Sequence, residues 1–86
     1  MIKIYVKEGC PFCERVQRAV EELGISVEFI DAPRGSKNRE EMVAIGGKEQ
    51  VPFLVDGDVH MYESEDIINY LKEKFGGMKE DEMSRL

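Results

Sequence analysis

Ile2-Lys3-Ile4-Tyr5-Val6-Lys7-Glu8-Gly9-Cys10-Pro11-Phe12-Cys13 is the stretch on which the fold turns. Residues 2–6 carry β-branched and aromatic side chains and run into Gly9, a turn signal, so they predict a strand. From Phe12 onward the pattern changes. Val16, Ala19, Val20 and Leu23 recur at the spacing of one helix face, and Gly24 stands where a C′ glycine stops a helix. Pro11 takes the start of that helix, where its missing N–H costs nothing.

Working outward, residues 26–31 form a second strand, and residues 32–37, with Pro33 and Gly35, form a loop. Asn38 to Ile45 reads as a short helix carrying Met42 and Ile45 and ended by Gly46-Gly47. Pro52-Phe53-Leu54-Val55 and Val59-His60-Met61 flank Asp56-Gly57, a hairpin signal. Ile67, Ile68, Leu71 and Phe75 mark an amphipathic helix from near Ser64 to Gly76-Gly77, and residues 77–86 read as a polar, frayed tail. The order is β-α-β-α-β-β-α. A strand, crossover helix and strand make a right-handed parallel pair, and the hairpin adds antiparallel strands. The expectation is one α/β domain over residues 1–86, with a four-stranded mixed sheet and three helices covering both faces.

Bulk properties narrow the function. Eighty-six residues with 42% hydrophobic content suffice for one modest core. A net charge of −6 argues against a nucleic-acid or anionic-membrane partner. No segment reaches transmembrane length, and the N-terminus has a strand pattern rather than that of a signal peptide. Two cysteines within one short motif make no cross-linking framework, so the expected location is a reducing cytoplasm.

Cys10-Pro11-Phe12-Cys13 carries the chemistry. A C-x-x-C at a strand-to-helix junction puts Cys10 at the helix N-terminus, where unpaired N–H groups and the positive end of the dipole favour a thiolate. Cys13, about one turn on and more enclosed, is placed to resolve the mixed disulfide that Cys10 forms. Pro11 stiffens the turn and removes one donor. A zinc site would need four ligands, and His60 is the only other candidate, so no metal is expected. Two inert core cysteines would sit on an apolar stripe rather than in a Gly-Cys-Pro turn.

Lys7-Glu8-Gly9-Cys10-Pro11-Phe12-Cys13 resembles the active-site segment of glutaredoxins. Arg39-Glu40-Glu41-Met42 resembles that family's charged second helix, and Gln50-Val51-Pro52 stands where glutaredoxins usually carry Thr-Val-Pro. The segment Tyr62 to Leu71 instead resembles the Glu-Ser helix start of glutathione transferase N-terminal domains. The resemblance implies a thioredoxin-like fold and glutathione-linked thiol–disulfide exchange in cell redox homeostasis. It implies a cis bond at Val51-Pro52, with the Val51 backbone pairing to an incoming cysteinyl peptide. It also implies glutathione contacts from Lys7, Arg39 and Gln50 at the glycyl end and from Ser64 and Glu65 at the γ-glutamyl end. Phe12 would edge the groove.

The resulting expectation is a monomeric dithiol oxidoreductase acting on protein disulfides and glutathione mixed disulfides, with glutathione as co-substrate and no tightly bound cofactor. One alternative is a redoxin reduced by a thioredoxin-type reductase and donating electrons to an enzyme such as ribonucleotide reductase. Others are an iron–sulfur carrier built on paired Cys10 thiolates and a non-catalytic binding module with a passive Cys10–Cys13 disulfide.

Overall fold

In the computed structural model, described over residues 1–76, four strands and three helices alternate as β1 (Lys3–Val6), α1 (Pro11–Leu23), β2 (Glu28–Asp31), α2 (Lys37–Gly46), β3 (Phe53–Asp56), β4 (Val59–Met61) and α3 (Ser64–Leu71). A wider π-helical turn, Lys72–Gly76, extends α3. The expected frayed tail, residues 77–86, lies outside the described residues. Among the described residues no helix is long and apolar enough to cross a membrane.

The sheet order is β2-β1-β3-β4. β1 runs parallel to β2 and antiparallel to β3, and β3 and β4 form the hairpin around Gly57. Side chains alternate across β1 with period two. Ile4 and Val6 join Val16, Val20, Leu54, Ile67 and Leu71 in the core beneath α1 and α3. Tyr5 joins Phe53, Met42 and Ala32 on the opposite face, beneath α2. The sheet is thus covered on both faces, as the sequence implied.

Local readings change in β2, α2 and α3. The second strand begins at Glu28 rather than Ser26. The second helix begins at Lys37, because Ser36 caps it: Ser36 Oγ accepts from Arg39 N at 3.1 Å. Ile45 does not turn inward; it is exposed, and Met42 and Arg39 are the buried residues of α2. At the last helix the cap position belongs to Glu63, which makes no side-chain capping bond, and Ser64 is the first helical residue.

Tyr62 ties β4 to the end of α2. Its ring lies 4.4 Å from that of Phe53, and its hydroxyl accepts from Lys48 N at 2.9 Å and donates to Lys48 O at 2.7 Å. Gly46 leaves the room for this: a Cβ there would collide with the Tyr62 hydroxyl and lie 2.8 Å from the Phe53 ring. Gly46→Ala is expected to lower Tm by about 5–15 °C through overpacking, measured by thermal unfolding.

At the far end of the sheet, Tyr70 donates to Asp56, and Lys74 pairs with the same carboxylate at 2.9 Å. The Tyr70 hydroxyl first, then Lys74, holds the Asp56 carboxyl below its usual range. A depressed folded-state value gives stability that is present above the unfolded value of about 3.9 and is lost as pH falls through the folded one. Asp56→Asn and wild type should therefore differ in Tm at neutral pH, with the gap shrinking as pH falls below the unfolded value of about 3.9; a gap that does not change with pH would contradict this.

Candidate active site

Three connections meet at one end of the sheet. In the antiparallel β1–β3 register Tyr5 faces Phe53, so the turn that follows Val6 lies beside the segment that precedes Phe53. β4 returns antiparallel to β3 and ends with Met61 opposite Leu54, which brings the start of α3 to the same end.

The first connection holds the cysteines. Gly9 takes φ of 77°, a left-handed conformation that side chains resist, and turns the chain into α1. Cys10 is the N-cap residue of α1, with extended φ and ψ of −96° and 111°. Its Sγ accepts from Cys13 N at 3.3 Å, and its carbonyl accepts from Glu14 N at 3.0 Å. Pro11 follows in the first turn, where no N–H is needed.

The two thiols have different surroundings. Cys10 is half-buried, whereas Cys13 is 1% exposed and packs with Ile4, Val6 and Val16. Burial first, and then the neighbouring Cys10 sulfur, pushes the Cys13 thiol up to about 12. Cys13 is consequently a protonated thiol at neutral pH, out of reach of bulky reagents.

The second and third connections form a groove of about 520 Å³ beside this turn. Phe12 and Arg15 of α1 make one wall, Gln50, Val51 and Pro52 the floor, and Tyr62 to Asp66 the other wall. The Val51–Pro52 bond is cis. Because Glu63 makes no capping bond, the first-turn N–H groups of α3 are left without a side-chain partner at the groove. The charged side chains here are mostly acidic: Glu63, Glu65 and Asp66 against Arg15 alone.

Of the residues singled out in the sequence, Phe12, Gln50, Val51, Pro52, Ser64 and Glu65 converge on this groove. Lys7 instead lines a shallower hollow with Glu8, Glu14 and Asp31. Arg39, expected at the glycyl end of glutathione, does not line the groove but is buried: its Nε donates to Ala32 O at 2.8 Å. The reason is the buried backbone just beyond β2, whose carbonyl needs a donor. Arg15, Tyr62, Glu63 and Asp66 were not foreseen as groove residues. Arg15 follows the motif by two positions, the one signal that pointed to it. Among the described residues, no cluster of three or more His, Cys, Asp or Glu side chains is arranged to hold a metal ion.

Residues 4–79 match the family described as glutathione S-transferase, N-terminal domain. The chain belongs to this family. It is also 29% identical over 77 residues to "Glutaredoxin 3" of Escherichia coli K12, covering 90% of each chain. A "glutaredoxin-like 8.6 kDa protein in rubredoxin operon" of Clostridium pasteurianum is 30% identical over 60 residues, 69% of this chain and 80% of the relative. Among solved structures, a glutathione transferase homolog of Drosophila mojavensis with bound glutathione superposes with a TM-score of 0.78 at 25% identity, over 87% of this chain and 35% of the other. The chain thus spans only about a third of that transferase's length. The family match agrees with the resemblance of Tyr62 to Leu71 to the helix start of glutathione transferase N-terminal domains.

The contrast between the thiols is directly measurable. Native protein treated with iodoacetamide at neutral pH should gain one adduct, on Cys10, and a second on Cys13 only in denaturant, read by mass spectrometry. Equal labelling of both cysteines in the native state would contradict the burial.

Proposed function

We propose that this chain is a glutathione-dependent thiol–disulfide oxidoreductase in which Cys10 is the nucleophile and Cys13 the resolving thiol. The observation that carries this reading is the pairing of a half-exposed Cys10 at a helix N-cap with a buried, protonated Cys13 behind it. Donors at the α1 N-terminus favour negative charge on Cys10 Sγ, both in the free thiolate and when that sulfur leaves.

On a glutathionylated protein, Cys10 thiolate attacks the glutathione sulfur. The mixed S–S bond breaks, the protein leaves as a thiolate, and a Cys10–glutathione disulfide forms. A second glutathione thiolate attacks the glutathione sulfur of that intermediate, which yields glutathione disulfide and restores Cys10. On a disulfide within a protein, Cys10 thiolate attacks one sulfur and frees the other as a thiolate. Cys13 then gives up its proton and attacks Cys10 Sγ, which expels the remaining substrate thiolate and leaves Cys10–Cys13 oxidised for later reduction by glutathione.

Glutathione in the groove would pair its cysteinyl backbone with Val51. Its γ-glutamyl carboxylate would meet the first-turn amides of α3 at Ser64 and Glu65, and its amine the acidic side chains there. Lys7 and Gln50 are the candidates for the glycyl carboxylate; Arg39 already donates through Nε to Ala32. The setting we propose is a reducing cytoplasm, with a monomeric protein and no resident cofactor.

One observation favours a second reading, a redoxin reduced by a thioredoxin-type reductase: three carboxylates and a single guanidinium line the groove that an anionic tripeptide would enter. A coupled assay separates the two. With glutathione, glutathione reductase and NADPH, wild type should reduce a glutathione–small thiol mixed disulfide. Cys10→Ser should lose that activity and Cys13→Ser should keep most of it. No turnover with glutathione, but reduction by a thioredoxin reductase, would replace the first reading with the second.

A further inference from the structure

Next to the groove, α1, α3 and the turn that extends α3 border a second, open cleft of about 230 Å³, lined by Arg15, Arg18, Ala19, Glu22, Ile68 and Lys72. Three cations and one carboxylate meet there, a local charge of +2 on a chain of net −6. Its apolar floor is small, just Ala19 and Ile68. Arg15 lines both cavities, so the cleft continues the groove along the helices. The one ion pair among the described residues, Lys74–Asp56, involves none of these three cations.

We propose that this cleft is the docking site for an acidic segment of the protein substrate, positioned by Arg15, Arg18 and Lys72 a few residues away from the substrate's reactive cysteine. This rests on the oxidoreductase reading and adds to it the chemistry of the partner. Distance supports the assignment. Arg18 lies eight residues along from Cys10, about 12 Å at helical rise, and an extended peptide covers that in three to five residues. Charge complementarity supports it too. At about 0.1 M salt charges beyond about 10 Å are screened, so a segment in the cleft responds to the three nearby cations more than to the remote net charge. Exposed charges of this kind act on encounter rate and partner choice more than on raw affinity.

The test labels Cys10 with two peptides, iodoacetyl-Gly-Gly-Glu-Glu-Glu and iodoacetyl-Gly-Gly-Lys-Lys-Lys, at limiting concentration, in wild type and in an Arg18→Glu/Lys72→Glu double variant. The net charge of −6 by itself favours the Lys peptide. The cleft predicts the opposite: the Glu peptide about threefold to fivefold faster at about 0.1 M salt, the ratio near one at about 1 M, and inverted in the double variant. Uncharged iodoacetamide should label both proteins at one rate, which shows that the variant is folded. A faster Lys peptide in wild type overturns the proposal. So does a ratio that charge reversal leaves unchanged, or sedimentation showing a second copy of the chain seated in the cleft.

Labelling needs no glutathione, so the two readings fail separately. A Glu preference without turnover of glutathione mixed disulfides removes the proposed activity and keeps the docking site. Turnover without a Glu preference does the reverse.

Discussion

The backbone N–H of Cys13 points at the Sγ of Cys10 across 3.3 Å, and much of the site depends on that arrangement. It exists because Gly9 turns the chain through a left-handed conformation, Cys10 stays extended as the cap, and Pro11 begins the helix without needing a donor. The same geometry sends the next cysteine inward, one helical turn on, into the apolar layer beneath α1. With Cys10 as the proposed nucleophile, the stability of α1 and the chemistry share one residue, because the sulfur that would react is also the cap of the helix.

The sheet supplies the second requirement, a groove beside the cysteine turn. β1 and β3 are neighbours and antiparallel, so the end of one lies beside the start of the other. The cis Val51–Pro52 bond and the cysteine turn are therefore held by the same ladder of hydrogen bonds. The hairpin brings α3 back to this end, and the uncapped start of that helix completes the groove. Charge is divided along α1 and α3: Glu63, Glu65 and Asp66 surround one end, and Arg15, Arg18 and Lys72 the other.

Elements with strong local signals were legible from the sequence. β-branched and aromatic content before Gly9 marked β1, and helical spacing from Val16 to Leu23, with Pro11 at the start and Gly24 as a left-handed stop, placed α1 at its observed ends. Asp56-Gly57 placed the hairpin. α2 was less clear because its apolar face is thin. Ile45 looked like core but is exposed, and the buried residue beside Met42 is a cation, Arg39, whose partner is a backbone carbonyl seven residues away. No periodicity encodes such a bond. Arg15, Tyr62 and Glu63 were not read as groove residues for a related reason: only the packing of α1 against α3 brings them to one groove.

The most direct measurement is where glutathione lies once it is attached to Cys10. The Cys13→Ser variant, converted to its Cys10–glutathione mixed disulfide, can be compared with the reduced form by amide chemical shifts. Shifts should concentrate at Val51, Ser64 and Glu65, with Lys37–Gly46 little changed. Shifts centred on Lys37–Gly46, with Ser64 and Glu65 unmoved, would contradict a glutathione site built on the start of α3.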